Sequence, residues 1–219
     1  MRRSSSMFLA CAALALAATL HAAPKSSAPA GKSAANPASI DTATFAMGCF
    51  WCGETQFTQQ PGVKSVTSGY TGGHKANPSY EEVCTGTTGH YESVRVVFDP
   101  AKTSYATLLD MFWHGIDPTQ ADGQFCDEGS QYRSVVFVRN ASQRKAAEDS
   151  RRALEKSGVL QDPIVTQVLP AARFWPAEEY HQCFWQKSPD HYRAYRKGCR
   201  RDERLAQLWG DKAAKPLVH

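Results

Sequence analysis

The sequence lacks a strong excess of one charge, a long apolar segment beyond its N-terminal region, and any internal repeat. Its 25 basic and 21 acidic residues leave a formal net charge of +4, which is modest and does not predict nucleic-acid binding. No stretch after the N-terminal region is apolar enough to insert stably in a membrane. With 219 residues, of which 42% are hydrophobic, the chain can form one globular domain with a core.

Closely spaced pairs of metal-binding residues are also missing. The cysteines and the seven histidines do not form two ligand pairs of the kind that hold zinc, so we expect no metal site. Six cysteines follow the N-terminal region: Cys49, Cys52, Cys84, Cys126, Cys183 and Cys199. In an oxidising compartment they could form three structural disulfides, whereas a redox enzyme would use only some of them.

The N-terminus has the pattern of an export signal. Arg2 and Arg3 form a short basic region, and residues 7–20 form an apolar run that is too short for a transmembrane helix. Small residues follow this run, and Ala22 and Ala23 are suitable for cleavage. We therefore expect an exported protein, located in the periplasm.

These features predict four segments along the chain. They are a signal peptide over residues 1–23, a flexible linker over 24–40, a folded domain over 41–210 and a C-terminal tail over 211–219. The linker is rich in Ala, Pro, Ser and Lys, and such a composition cannot bury enough apolar surface to become ordered. Cys11 lies inside the apolar run and leaves a lipidated N-terminus as an alternative.

The most informative stretch is residues 48–54, Gly-Cys-Phe-Trp-Cys-Gly-Glu. It connects an apolar run at residues 43–47, which predicts a strand, to residues 54–60, which predict a short helix. Cys49 would thus lie near the free N–H groups and the positive dipole end of a helix, which stabilise a thiolate. The two aromatics that follow it could form a cage for an apolar substrate group, or could be core residues beside two structural cysteines.

A buried carboxylate is predicted further along the chain. Residues 91–98 alternate as a strand, and Glu92 has the same parity as Val94, Val96 and Phe98. Its carboxylate would therefore face the apolar side of the sheet. Glu92 could lie at the rim or pair with an arginine, or desolvation could raise its pKa so that it transfers protons.

The remaining elements interleave strands with helices. We expect strands at residues 63–70, 131–138 and 163–169, and helices at 78–83, 104–117, 141–157, 176–186 and 202–208. Between them, residues 115–130 form a long polar loop that holds Cys126 and Asp127, and loops of this length often carry sites. Because the spacing of some strands is typical of local antiparallel pairing, the pattern predicts an α+β or mixed α/β fold.

Several motifs in one order resemble those of the A-type methionine sulfoxide reductases. Besides the motif at residues 48–54, they are residues 69–73, 77–84, 88–96 and 131–133, and the matches extend from about residue 42 to 190. The resemblance implies a compact two-layer roll with a central mixed sheet flanked by helices. It also implies reduction of the S epimer of free or protein-bound methionine sulfoxide, and repair of oxidised proteins. We expect a monomer that needs no cofactor.

The resemblance also implies roles for individual residues. Cys49 matches the nucleophile that attacks the sulfoxide sulfur, and Glu92 matches the acid–base residue. Phe50 and Trp51 would then accept the S-methyl group, since their ring faces favour a slightly positive methyl.

Three further residues match the family's binding site for the sulfoxide oxygen. Tyr80 and Tyr132 match the tyrosines whose hydroxyls hold this oxygen, and Asp127 matches an aspartate of the same hydrogen-bond network. Plain packing is the alternative for both tyrosines. Cys126 precedes Asp127 and occupies a position at which relatives often have asparagine.

The implied catalytic cycle requires a second thiol. Attack would leave Cys49 as a sulfenic acid, a resolving thiol would convert it to a disulfide, and a thioredoxin-like or other thiol reductant would clear that bond. Many relatives have glycine at the position of Cys52 and place resolving cysteines near the C-terminus. We expect Cys52 to resolve first, because it is only three residues away, with Cys199 as a second relay. Cys84 and Cys183 are expected to be inert core thiols.

Two other functional classes fit some of these features. A thioredoxin-like disulfide oxidoreductase could use Cys49 and Cys52, but that family has a second cysteine after the glycine, where this chain has none. A secreted binding module could be held together by three disulfides.

Overall fold

The computed structural model describes residues 40–215. The predicted signal peptide and nearly all of the predicted linker lie outside these residues, as do the last four residues of the tail. The strands are β1 (Asp41–Ala46), β2 (Val63–Thr71), β3 (Tyr91–Phe98), β4 (Gly123–Gln124), β5 (Asp127–Glu128), β6 (Val135–Val138), β7 (Gln167–Pro170) and β8 (Trp175–Pro176). The α-helices are α1 (Phe50–Thr58), α2 (Tyr80–Cys84), α3 (Tyr105–His114), α4 (Ala141–Ser157), α5 (Phe184–Lys187), α6 (Pro189–Gly198) and α7 (Arg201–Trp209), and two 3₁₀ turns span Ser130–Tyr132 and Gly210–Lys212.

Six strands form one mixed sheet in the order β7-β6-β1-β3-β2-β8. All neighbouring strands are antiparallel except β6 and β7, which are parallel. The strands β4 and β5 form a separate two-stranded hairpin within the long polar loop. The predicted α+β fold with a central mixed sheet and flanking helices is therefore confirmed.

The core lies between this sheet and helices α1 and α3. The ring of Phe45 in β1 stacks on those of Phe57 in α1 and Phe112 in α3, at centroid distances of 5.2 and 5.1 Å. Gly53 brings α1 unusually close to β3, because a Cβ atom at this position would lie 3.1 Å from a Val94 methyl group. This close approach places the first turn of α1 beside the N-terminal end of β3.

Strong local patterns predicted several elements well. The strand at Tyr91–Phe98 and the helix at Ala141–Ser157 have the predicted bounds. Among residues 40–215, no helix combines the length and apolar character that crossing a membrane requires.

Other elements differ from the prediction. Helix α1 begins at Phe50, four residues earlier than expected, so that Cys52 lies inside its first turn. Tyr132 lies in a 3₁₀ turn and not in a strand. The helix predicted at residues 176–186 is wrong: Pro176 pairs in β8 at the edge of the sheet, where a missing N–H is tolerated, and helical structure begins only at Phe184. Helix α6 was not predicted.

Candidate active site

Cys49 occupies the N-cap position of α1, at the junction of strand and helix. Its carbonyl accepts hydrogen bonds from the backbone N–H groups of Cys52 (3.1 Å) and Gly53 (3.2 Å), while its side chain makes no capping bond. The next N–H group, that of Phe50, donates to Oε2 of Glu92 at 3.0 Å. The carboxyl of Glu92 thus reaches the first turn of α1, beside Cys49.

Glu92 is buried on the apolar side of the sheet, with 2% of its surface exposed. Burial is the main cause that raises the pKa of its carboxyl to about 8; the hydrogen bond from the Phe50 amide opposes this shift, and the nearby acidic groups of Asp127 and Cys52 add to it. Such a carboxyl carries its proton at neutral pH. This geometry disfavours the rim position, and the bonded partner is a backbone amide and not an arginine.

Cys49 and Cys52 form a buried thiol pair with 6% and 1% exposure. Burial raises the pKa of Cys49 well above its usual value, and the negative charges of Cys52, Glu92 and Asp127 add to this effect. The pKa of Cys52 is lowered, mainly by a hydrogen bond from Cys49 and then by the positive charges of Arg201 and Arg196. These opposite directions favour a proton on Cys49 and negative charge on Cys52.

This arrangement differs from the predicted Cys49 thiolate. The first free amide of the helix, on Phe50, is already bonded to Glu92, so it is not available to the sulfur. The dipole of a nine-residue helix is also opposed by burial and by three neighbouring acidic groups.

Helix α6 supplies the surroundings of Cys52, which the sequence analysis missed. The hydroxyl of Tyr192 lies 3.9 Å from the Cys52 sulfur and 2.8 Å from the hydroxyl of Thr55. Arg196 donates to the Tyr192 hydroxyl at 3.3 Å and forms a salt bridge with Asp202. Tyr192 and Arg196 are four residues apart, a helical spacing that could have indicated α6 after Pro189. A tyrosine and an arginine do not form an apolar stripe, however, so the spacing was not recognised.

The two aromatics of the motif have different environments. Phe50 is buried, and its ring centroid lies 6.5 Å from that of Tyr80. Trp51 is partly exposed and stacks on Phe184, with centroids 3.8 Å apart and planes 8° apart. Its indole N–H donates to Nδ1 of His181 at 3.2 Å, which is another contact that the sequence did not predict.

Tyr80, Tyr132 and Asp127 all lie near Glu92. Burial raises the pKa of both tyrosines, and the charge of Glu92 contributes in each case, so that their hydroxyls remain protonated donors. Burial also raises the pKa of Asp127, whose carboxylate accepts a hydrogen bond from Tyr195 of α6. The predicted binding residues are therefore brought together around one acid and one thiol pair.

The other four cysteines among residues 40–215 lie outside this thiol pair. Cys126 and Cys199 form a disulfide between the long loop and the end of α6, with Cα atoms 4.9 Å apart, so Cys199 is already paired. Their sulfurs and the Asp127 carboxylate are close together, but the sulfurs are bonded to each other and do not form a metal-ligand set. The expectation of buried thiols at Cys84 and Cys183 is wrong, since both lie at exposed positions.

Sequence comparison identifies relatives of one kind. The family described as peptide methionine sulfoxide reductase matches residues 41–213. The peptide methionine sulfoxide reductase MsrA of Bacillus licheniformis is 52% identical over 172 residues, which cover 78% of this chain and 95% of the relative. The MsrA of Limosilactobacillus reuteri is 54% identical over 155 residues, which cover 70% of this chain and 89% of the relative.

The chain also resembles solved structures of methionine sulfoxide reductases. The methionine sulfoxide reductase A of Corynebacterium diphtheriae superposes with a TM-score of 0.61 and 33% identity, covering 71% of this chain and 77% of the other. The reduced form of Mxr1 from Saccharomyces cerevisiae superposes with a TM-score of 0.64 and 30% identity, covering 71% of this chain and 89% of the other. The chain therefore belongs to the peptide methionine sulfoxide reductase family, as a member of its A type.

Proposed function

We propose that this enzyme reduces the S epimer of methionine sulfoxide, free or within proteins, with Cys49 as the nucleophile and Glu92 as the acid. One observation supports these roles above all: the Phe50 amide binds the Glu92 carboxyl beside Cys49, which is the N-cap of α1. A soft nucleophile for sulfur and a proton for oxygen are thus adjacent, which is what sulfoxide reduction requires.

The first step transfers the sulfoxide oxygen. As the Cys49 sulfur attacks the sulfoxide sulfur, the proton that it shares with Cys52 moves to the Cys52 sulfur. Glu92 donates a proton to the sulfoxide oxygen, with the Tyr80 and Tyr132 hydroxyls as further donors. The oxygen then passes as hydroxide from the substrate sulfur to the Cys49 sulfur, and the bond between the two sulfurs breaks with its electron pair left on methionine. Methionine leaves, and Cys49 becomes a sulfenic acid.

The apolar residues of the motif orient the substrate. The buried ring of Phe50 and the partly exposed indole of Trp51 provide a wall for the S-methyl group, next to the reacting sulfur. Asp127 and Tyr195 complete the polar side of the site.

The second step forms a disulfide between Cys49 and Cys52. The Cys52 sulfur attacks the sulfenic sulfur, the new sulfur–sulfur bond forms, and the hydroxyl leaves as water with one proton. The hydrogen bond within the pair and the low pKa of Cys52 favour this residue as the resolving thiol. Cys199 is bonded to Cys126 and would have to be released before it could act as a relay.

An external dithiol must then reduce the Cys49–Cys52 disulfide, and we propose a thioredoxin-like protein for this role. The chemistry of thiol–disulfide exchange requires only a reductant whose potential is lower than that of the disulfide.

Mass spectrometry of the pre-reduced enzyme after reaction with a methionine sulfoxide peptide tests these roles. We expect reduced peptide together with a Cys49–Cys52 disulfide, from the S epimer and not from the R epimer. A linkage of Cys49 to any other cysteine would contradict the assigned resolving thiol, and turnover by Cys49→Ser would contradict the assigned nucleophile.

We also propose that the enzyme is exported and acts in the periplasm. The basic N-terminus, the apolar run at residues 7–20 and the small residues that follow support this location. N-terminal sequencing of the protein from fractionated cells tests it: a mature chain that begins near residue 24 in the periplasmic fraction is expected, and a full-length chain in the cytoplasm would refute it.

A further inference from the structure

Glu54 is a buried carboxylate that the proposed reaction does not use. It lies on α1 with 1% of its surface exposed, and both of its carboxylate oxygens accept the backbone N–H of Cys183 at 3.0 Å. Burial raises its pKa. Burying such a group is unfavourable unless it has a hydrogen-bonded partner, so the contact with Cys183 needs a structural explanation.

The contact fixes a backbone segment of unusual conformation. Cys183 has a φ of 52°, a left-handed conformation that is uncommon for residues other than glycine. It is the N-cap of α5, and it makes no side-chain cap, so its geometry depends on its surroundings. The next residue, Phe184, stacks on the indole of Trp51.

Glu54 and Trp51 lie on one face of α1, because residues three apart in a helix are neighbours. Residues 181–184 cross this face and contact it at three points. His181 accepts the Trp51 indole N–H, Phe184 covers the Trp51 ring, and the Cys183 amide is held by Glu54. Two of these contacts bear directly on Trp51, whose ring also has edge contacts with His191 and Tyr195 of α6, and the third holds the backbone between them.

The segment is also attached to the sheet, independently of α1. The side-chain amide of Gln182 accepts from the backbone N–H of Ser68 at 3.0 Å and donates to its carbonyl at 2.9 Å. Loss of Glu54 would therefore leave residues 181–184 tied to β2, while their attachment to the Trp51 face of α1 would weaken.

We propose that Glu54 is a positioning residue that fixes the Trp51 indole by holding residues 181–184 against α1. This inference rests on the proposed function, in which Trp51 forms the wall for the S-methyl group. Fixing the indole makes that wall rigid, so Glu54 determines how strictly the enzyme distinguishes a methyl from a larger alkyl group on the sulfoxide sulfur.

The test compares Glu54→Ala with Glu54→Gln. We expect Glu54→Ala to lower kcat/KM for methionine sulfoxide about tenfold, mainly through KM, since misplacing a substrate-positioning group weakens productive binding. Discrimination against ethionine sulfoxide, about tenfold or more for one methylene in a rigid pocket, should fall to about twofold. Glu54→Gln keeps an oxygen that accepts the Cys183 amide, so it should stay within about threefold of the wild type in both measurements.

Gln56→Ala is the matched control. Gln56 lies on the same helix and also ties it to another segment, because its side chain donates to the Met111 carbonyl at 2.9 Å on the side of α3. It does not contact Trp51, so this variant should lose some stability and keep the wild-type ratio between the two sulfoxides.

A double-mutant cycle with Trp51→Phe shows whether Glu54 acts through Trp51. If it does, Glu54→Ala should change kcat/KM much less in the Trp51→Phe background than in the wild type. Additive losses, or a Glu54→Ala variant with unchanged discrimination, would overturn the proposal, as would a Glu54→Gln variant as impaired as the alanine. Acrylamide quenching of the Trp51 emission, obtained by difference from Trp51→Phe, should increase in Glu54→Ala without any substrate. Absence of sulfoxide reduction by the wild type would instead refute the proposed function and leave this fluorescence result standing.

Discussion

Replacing Glu92 by glutamine should separate its role as an acid from its role in the fold. The side chain is buried, and the amide oxygen of glutamine can still accept the Phe50 N–H. The variant cannot donate a labile carboxyl proton to the sulfoxide oxygen. We expect it to fold and to form methionine about a hundredfold more slowly in a single turnover at pH 7, which is typical for loss of a positioned acid.

The raised pKa of Glu92 also predicts how the stability of the protein changes with pH. With a folded pKa of about 8 against an ordinary value of 4.5, the folded state keeps a proton that the unfolded state has released. The stability of the wild type should therefore fall as pH rises from about 4.5 to 8, and level off above that range. Glu92→Gln avoids this loss, so its free energy of unfolding should exceed that of the wild type at pH 9 by an amount on the order of a few kcal/mol.

Two measurements check the prediction. Rapid-quench single turnovers between pH 6 and 9.5 should show a wild-type rate that falls as pH passes about 8, and a slow rate without this fall in Glu92→Gln. Urea unfolding at pH 6 and 9 should show the stability gain only at the higher pH. Glu155→Gln, an exposed position on α4, is the control. An equal rate in Glu92→Gln, or the same decline near pH 8 in both proteins, would mean that the proton comes from another group.

Three further predictions concern the cysteines. Cys49→Ser should show no detectable reduction, because a neutral hydroxyl is a poor nucleophile toward sulfur, and measurable turnover would refute its role. Cys52→Ser should release one equivalent of methionine and then stall as a sulfenic acid, which trapping with dimedone and mass spectrometry would reveal; continued turnover with dithiothreitol at the wild-type rate would exclude Cys52 as the resolving thiol. Replacing both Cys126 and Cys199 by serine opens a loop of 73 residues and should lower the free energy of unfolding by about 4 kcal/mol, with little change in single-turnover methionine formation; unchanged urea unfolding would contradict this estimate.

The parts of the site that could be predicted from the sequence depend on patterns of residues within one strand or one helix. The parity of Glu92 within one strand identified the buried carboxyl, and the motif at residues 48–54 placed Cys49 at the start of a helix. In both cases the signal lies within a few neighbouring residues and follows from the geometry of a single strand or helix.

The parts that could not be predicted depend on contacts between distant segments. His181 is 130 residues from Trp51, and Tyr192 is 140 residues from Cys52, so no local pattern relates them. Helix α6 buries Tyr192 and Arg196, residues that do not form an apolar stripe, and its period was therefore not recognised. The upward shift of the Cys49 pKa likewise results from burial and from acidic groups on other segments, and not from the position of Cys49 at the end of a helix.

The distribution of charge explains how a thiol with a raised pKa can still serve as the nucleophile. Besides burial, the acidic groups of Cys52, Glu92 and Asp127 raise the pKa of Cys49, and those of Asp127 and Cys52 raise the pKa of Glu92. The pKa of Cys52 itself is lowered by its hydrogen bond with Cys49 and by the cations at Arg201 and Arg196. The resting site thus keeps protons on Cys49 and Glu92.

These two protons have separate uses in the proposed reaction. The Cys49 proton moves within the thiol pair to Cys52 as attack begins, so the thiolate charge appears at Cys49 only when the substrate sulfur is present. The Glu92 proton is held by burial until the sulfoxide oxygen, the strongest acceptor to enter the site, takes it. Burial that weakens the free nucleophile therefore also keeps the acid protonated. Gly53 allows α1, which has Cys49 at its N-cap, to pack closely on β3, which contains Glu92. A Cβ atom at position 53 would crowd the Val94 methyl groups and move α1 relative to β3, so we expect Gly53→Ala to disturb the hydrogen bond between the Phe50 amide and Glu92 and to slow methionine formation in a single turnover.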